Sequence, residues 1–427
     1  MRDILTGLAI LLILALTAAL AGPYFVDWGA QRGRIAERLT ELVGAPVEIA
    51  GDIRVRLLPE PHLELGEIRV GHSDGPTLSA DRLALEMAVT PLLRGEIRIV
   101  EAVLERPLVA SRLDAAGGVE GLSRLTERWG VVQDVAVERL VVRNGTVVLT
   151  EADGRMLTAE SVGFDADAQA LAGPWRASGR ATLSGVPLDL RLATGAPEAG
   201  GVRVKIVAQV AGGVGRGEID GRFQAGEGGP RFDGRVATVG RLRWPERDGF
   251  AQRPWSLTGT VRLAGRQGRI EALELDAGGD EVPLKLMGSG ELTWGAVPRA
   301  SLALEAKQLD LDKPFTLQGG TAPSVRAVAA AWLNAFAQDE DAQGTDLPLA
   351  VQLKIGTVLA GGEAITGLAA EFGVRATALQ LTSLKATLPG AAALSASGEL
   401  GFAGGPRFAG RVDIKAKDAP RLAGWWP

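Results

Sequence analysis

Along most of the chain, apolar and polar residues alternate one for one. Leu347, Leu349, Val351, Leu353 and Ile355 take turns with Pro348, Ala350, Gln352 and Lys354, and Val202, Val204 and Ile206 alternate with Arg203 and Lys205. A period of two places successive side chains on opposite faces of an extended strand, so these segments predict sheet with one apolar and one wet face. Asn144-Gly145, set between VERLVVR and TVVL, reads as the two-residue turn of a hairpin. Gly-Gly pairs at 117, 212, 228, 278 and 404 mark further turns.

Three stretches break this period. Residues 4–22 form a run of 19 uncharged residues, enough to cross the ~30 Å hydrocarbon core as a helix. Ile4, Leu8, Leu12, Leu16 and Leu20 lie within it, and Tyr24, Phe25 and Trp28 follow as an interfacial aromatic belt. Ala19-Leu20-Ala21 also fits a signal-peptidase site, but the run exceeds the usual ~7–15 residues of a cleaved signal, and only Arg2, offset by Asp3, precedes it. A retained anchor is the expectation, with everything after it exported. Ile35, Leu39, Leu42 and Val43 then recur at helical spacing, stopped by Gly44 and Pro46. Val325, Val328, Trp332 and Phe336 predict a second amphipathic helix, read as a docked lid, before the acidic run Asp339-Glu340-Asp341, which reads as a loop.

The body repeats itself. PWxxSGxxxLxG from Pro174 returns as PWxxTGxxxLxG from Pro254, and GGPRFDGRV at 228–236 returns as GGPRFAGRV at 404–412. Each copy is a strand, a Gly/Pro turn and a strand, so the pattern predicts an extended sheet built by duplication. The expected fold is mainly β: a transmembrane helix, then a long curled antiparallel sheet with one or two short helices.

Composition narrows the function. The 427 residues carry 46 basic and 51 acidic side chains, a net −5 that offers no cationic surface to nucleic acid. Cysteine is absent and there are two histidines, which excludes thiol chemistry and leaves only His62 and His72 for imidazole catalysis or metal binding. Further ligands for a metal pair are lacking, and no metal or cofactor is expected. Gly71-His72-Ser73-Asp74-Gly75 matches the G-x-S-x-G elbow, making an exported esterase with Ser73 as nucleophile a rival. Pro76 follows, however, and no histidine lies downstream to act as base. Asp310 and Asp312, two apart on one strand, read as wet-face residues rather than an acid/base pair. With aromatics at 5% and Gly at 57 residues, the strands lack the large side chains of a sandwich core. An apolar face without a second protein layer suits acyl chains, each CH₂ of which costs about 0.8 kcal/mol in water. Val202, Val204, Ile206, Leu349, Val351, Leu353 and Ile355 are the expected lining of such a groove.

Several motifs resemble the AsmA family. GAPV at 44–47, GDIR at 51–54, LPEPHLELGEIRVG at 58–71, LSADRL at 78–83 and PLLRGEI at 91–97 are ordered and spaced as in that family, and LPGA at 388–391 with GEL at 398–400 looks like its later hairpin. Residues 114–119 depart from the family's D-x-x-G-x-x-N-W turn. The resemblance is dense over 1–125 and implies a non-enzymatic, single-pass protein of the Gram-negative inner membrane with a periplasmic β-groove body, concerned with outer-membrane biogenesis. Its implied partners are phospholipid or another acyl lipid, the inner membrane, and outer-membrane or periplasmic proteins at the distal end. A second reading is a periplasmic scaffold for outer-membrane protein assembly. The expected organisation is an anchor and belt at 1–28, an AsmA-like region at 29–125 and a repeated groove at 126–427, interrupted at its C-terminus.

Overall fold

The computed structural model describes residues 26–426 apart from 72–74, 93, 95–97, 121–135, 152, 169–172, 199, 214, 227–228, 295–297, 318–319, 338–348, 376–377 and 403–404. The anchor residues Ile4, Leu8, Leu12, Leu16, Leu20 and Tyr24, the acidic run at 339–341, and His72 and Ser73 of the esterase alternative lie outside the described residues. Among the described residues no helix is long and apolar enough to cross a membrane. The chain forms two compact units, Met1–Gly212 with Asp220–Arg231, and Gly213–Ile219 with Phe232–Pro427.

The first unit opens with the predicted short helix, α1 (Arg32–Val43). Gly44 ends it in the left-handed region at φ +76°, returning its N–H to the Thr40 carbonyl, a conformation that costs glycine little. Ile35, Ala36 and Leu39 of α1 pack on Val47, Ile49, Leu65, Ile68 and Ala80 of the sheet beneath. The strands are β1 (Val47–Ile49), β2 (Ile53–Arg56), β3 (His62–Gly71), β4 (Thr77–Met87), β5 (Arg98–Glu105), β6 (Leu108–Arg112), β7 (Ala136–Thr150), β8 (Met156–Ala168), β9 (Trp175–Leu183), β10 (Val186–Thr194) and β11 (Val202–Val210), with one helical turn, α2 (Val89–Leu92), after β4. β12 (Gly215–Gln224) has residues in both units.

The second unit holds β13 (Arg231–Glu246) from its second residue on, β14 (Gly249–Ala264), β15 (Gln267–Ala277), β16 (Leu284–Thr293), β17 (Arg299–Asp310), β18 (Leu349–Ala360), β19 (Glu363–Arg375), β20 (Ala378–Leu388), β21 (Ala392–Gly401) and β22 (Arg407–Lys415). Between β17 and β18 stand α3 (Lys313–Thr316) and α4 (Val325–Ala337), and α5 (Ala419–Trp425) follows β22. α4 is the helix that the Val325/Val328/Trp332 spacing predicts. Val328 and Trp332 pack with Trp244, Val282 and Phe315 into a core at one end of the strands, with the two indoles edge to face at 4.8 Å. The Trp332 indole N–H donates to the Leu311 carbonyl, and that of Trp425 in α5 donates to the Ala360 carbonyl at 2.8 Å.

Two sequence expectations need correction. The sheet is mixed: β5–β7, β6–β7 and β17–β18 run parallel among otherwise antiparallel neighbours. A parallel pair needs a crossover of a dozen or more residues, and the 38 residues from 311 to 348 that carry α3 and α4 provide the one between β17 and β18. Asn144-Gly145 is not a hairpin turn. β7 runs straight through it, with Asn144 at φ +53° and the register against β8 shifting on either side of Gly145. Asn-Gly supplies left-handed backbone equally well to a bulge as to a turn.

Candidate functional site: two apolar sheet faces

Cross-strand register shows which side chains stand side by side. In the first unit, one row reads Val55, Leu63, Leu85, Ala102, Leu140, Ala166, Ala177, Leu192, Ile206, each residue paired with the next across nine strands from β2 to β11. A second reads Ile53, Leu65, Leu83, Leu104, Val142, Phe164, Gly179, Leu190, Ala208. A third runs Val47, Val70, Leu78, Val109, Val147, Ala159, Leu183, Val186. No polar side chain interrupts any of the three.

The second unit does the same. Leu263, Gly268, Leu292, Ala300, Leu349, Val374, Leu379, Leu400, Phe408 form one row, and Val261, Ile270, Gly290, Leu302, Val351, Phe372, Leu381, Gly398, Gly410 the next. The third is Leu273, Gly288, Leu304, Leu353, Ala370, Leu384, Ala396, Val412. Nine strands at ~4.8 Å give each strip about 38 Å measured across the strands, and in the second unit three rows at about every second residue give it a depth of about 14 Å. Glycine lets a neighbouring leucine lean over parts of the face. A Cβ on Gly290 would lie 2.8 Å from Leu302 Cδ2, so the Leu302 side chain occupies that space instead.

The opposite faces are charged. In the first unit Arg56, His62, Glu86, Glu101, Arg139, Asp167 and Arg176 are consecutive cross-strand neighbours. Arg139 bonds Asp165 at 2.9 Å and Glu101 at 3.3 Å. Glu86 faces Glu101 directly and shares a hydrogen bond with Glu60, which, with partial burial and the repulsion of Glu60 and Glu101, raises its pKa above the ordinary carboxylate value, only partly offset by Arg56. In the second unit Arg269–Glu291, Asp276–Lys285 and Glu305–Lys354 are both register neighbours and ion pairs. In each unit the strands are thus apolar on one side, where α1 covers Val47 and Leu65 of the first unit, and salted on the other.

Each predicted lining residue can now be placed. Ile206 ends the first row of the first unit, half exposed at 38%, beside Leu192 at 37%. Val204 and Val202 lie two and four residues back on the same face of β11, with Val204 opposite Thr194. Leu349, Val351 and Leu353 each belong to one of the three rows of the second unit. Ile355 sits next to them between Ala306 and Leu368. Val351 and Ile355 are only 7% and 4% exposed. The residues packed around Leu273, Leu304 and Val351 come from strands alone, as do those around Leu85, Ala102 and Val137. Sequence reading missed Leu192, whose strand VPLDLRLAT alternates like the others, and the whole set contributed by β2 to β8. Trp28 is half-buried ahead of α1, its carbonyl accepting from the Gln31 N–H.

Two further expectations resolve differently. Asp310 and Asp312 are not on a wet strand face. The Asp310 carboxylate accepts the N–H groups of Asp312 and Lys313. Asp312 is buried, its two oxygens accepting the Gly361 and Gly362 N–H groups at 2.7 and 2.8 Å. The pair fastens the crossover to the β18–β19 turn. His62 lies on the charged face between Arg56 and Glu86.

Comparison with curated proteins and with solved structures found no match. The model of the AsmA family matches residues 1–120, which span α1, β1 to β6 and the apolar corner where they pack, and over that part the chain is similar to that family.

Proposed function

We propose that this protein is an anchored carrier of acyl lipid. Residues 4–22 hold it in the inner membrane and residues 29–427 stand in the periplasm. Phospholipid travels along the dry sheet faces between the inner and outer membranes, contributing to outer-membrane biogenesis. The observation that carries the reading is the set of uninterrupted apolar rows, three in each unit and eight or nine strands long, backed by a charged face. Moving a 16-carbon chain through water exposes about 13 kcal/mol of hydrocarbon at ~0.8 kcal/mol per CH₂. A continuous strip lowers that barrier at each step, because a tail leaving one pair of rows meets the next. The headgroup remains in solvent at the margin.

The reading is tested with photoreactive side chains at Leu192, Ile206, Leu349 and Leu353, one at a time, with Lys205 and Lys354 as wet-face controls, and mass spectrometry of the lipid captured in cells. Acyl-chain adducts at the four dry-face positions and none at the controls are expected. Equal capture on both faces, or none on either, would refute it.

A further inference from the structure

In the second unit the two margins of the apolar face differ. One is closed by helices. Val328 and Trp332 of α4 share a core with Trp244, Ala277 and Leu284, and Val325 packs with Ala360, Leu388, Ala392 and Trp425 of α5. The ends of β13, β15, β18 and β20 and the starts of β16 and β21 therefore lie against a helical wall. The other margin carries no helix among the described residues. It consists of the connections joining β14 to β15, β16 to β17, β19 to β20 and β21 to β22. Residues 264–267, 293–299, 374–378 and 400–407, which make these connections, contain Arg266, Arg299, Arg375 and Arg407 and no acid. Arg299 and Arg407 are exposed and make no ion pair among the described residues. The segment 338–348, which enters β18 and holds Asp339, Glu340, Asp341 and Asp346, lies outside the described residues, and none of the site is drawn from it.

Trp294 stands at the boundary. Its backbone N–H donates to the Arg266 carbonyl at 3.1 Å, and its ring lies 3.4 Å from where a Cβ on Gly268 would stand. The half-buried indole thus overhangs the outermost row, Leu263, Gly268, Leu292, Ala300. An indole has an apolar body and one donor, which suits the seam between hydrocarbon and headgroup. The depth also fits. From Leu292 in that row to Leu286, the last dry-face residue of β16 before Leu284 at the helical core, is about 20 Å at ~3.3 Å per residue. The tails of one leaflet need about 15 Å, half the hydrocarbon core. A tail entering from the arginine margin ends short of the wall, whereas one entering from the opposite margin would have to displace α4.

We infer that the turn margin of the second unit is the headgroup side of the lipid path. Phosphate-bearing headgroups sit along Arg266, Arg299 and Arg407 outside Trp294, tails run inward toward α4, and lipids of net negative charge are preferred. This rests on the reading of the dry face as a bed for acyl chains. Guanidinium forks match phosphate oxygens, and arginine stems can lie along apolar surface while the charge stays in water.

The test uses the full chain in detergent with two phosphatidylglycerols, one photoreactive in the headgroup and one at the end of an acyl chain, and maps the adducts by mass spectrometry. The headgroup probe should label 263–268 and 293–299, and the chain-end probe the interior around Leu286 and Leu353 or α4. Headgroup adducts on α4 or α5, or on both margins alike, would overturn the inference and leave the lipid reading standing. A chain-end probe found on neither apolar face would overturn both. Net charge is read by competition, with variants compared at equal circular dichroism. Phosphatidylglycerol should bind about fivefold more tightly than phosphatidylcholine. The variant R266Q/R299Q/R407Q should bind the two alike, while K285Q/K354Q/K385Q, which loses the same charge from the wet face, should keep the preference. Equal binding by the parent chain, an unchanged preference in the arginine variant, or the same loss in both variants would each refute the assignment. So would displacement of the lipid by excess inorganic phosphate, which would mark a site for free anions instead.

Discussion

Replacing Ile206 with Asp puts a charge in the proposed path at little cost to the fold. Ile206 ends a nine-residue apolar row and is 38% exposed, so the carboxylate can reach water in the resting protein, and a stability change within about 1–2 kcal/mol is expected. A passing acyl chain must displace that water. An aspartate in hydrocarbon costs about 3 kcal/mol on insertion scales, which added to the barrier of one transfer step slows it roughly a hundredfold. The contrast is Val351→Asp: at 7% exposure an unpaired charge costs about 3–5 kcal/mol, a large part of the ~5–15 kcal/mol that holds a domain together, so loss of transfer there would report unfolding. The assay is transfer of fluorescent phospholipid between vesicles by Ile206→Asp, with Ile206→Ala as the size control and Lys205→Ala as the wet-face control. Asp should be slow, Ala within a fewfold of the parent, and Lys205→Ala unchanged. Parental transfer by a folded Ile206→Asp protein would refute the reasoning, because hydrocarbon would then be avoiding that row.

Other outcomes follow from the same geometry. Asp312→Ala leaves the Gly361 and Gly362 N–H groups without their carboxylate and should cost about 2–4 kcal/mol, seen as a lower denaturation midpoint. Glu86→Gln should raise the melting temperature at pH 7–8. The raised pKa of Glu86 means that its contribution is present while it is protonated and is lost as pH rises through the folded value, so the gain should vanish on titrating towards acid; an advantage that grew below pH 4 would contradict this. Trp425→Phe removes the indole bond to the Ala360 carbonyl and should cost about 1–2 kcal/mol in chemical denaturation.

Much of the strand content was legible because alternation is local, and residues 202–206 of β11 and 349–355 of β18 show it without interruption. What escaped reading is a change of phase inside strands of the first unit. In β3 the dry-face residues are Leu63 and Leu65, then Ile68 and Val70. In β7 they are Leu140 and Val142, then Val147, and in β8 Ala159, then Phe164 and Ala166. Each strand switches parity once, and non-glycine residues with positive φ mark the place: Glu67, Asn144 and Ser161, with Arg106 between β5 and β6. A single bulge would turn half of a strand inside out. Because neighbours switch along one line, the dry face stays dry. Sequence periodicity cannot see that agreement, since each strand alone looks like a short pattern that fails. The Asn144-Gly145 signal reads as a turn for the same reason: the dipeptide fixes local backbone, and only the neighbouring strands decide whether the chain reverses or continues. The parallel pairs were equally hidden, because strand direction depends on where a crossover returns.

The residues that fill the rows bear on what the face is for. A sheet that packs against a second sheet interdigitates large side chains to reach crystal-like density. Here small residues recur among the leucines and valines, as Ala102, Ala166, Ala177 and Gly179 do in the first unit and Gly288, Gly290, Ala300, Ala370, Ala396 and Gly398 in the second. Phe164, Phe372 and Phe408 are the only aromatic members of the six rows. A rigid protein layer would leave voids over such a surface and forfeit the contacts that make packing favourable. A flexible hydrocarbon chain adapts to uneven height and fills the low places left by alanine. The composition that makes the face a poor half of a protein core therefore makes it a suitable bed for lipid tails. Bulky substitutions in the low positions, such as Ala177→Phe, should stiffen the face yet reduce the lipid recovered with the protein.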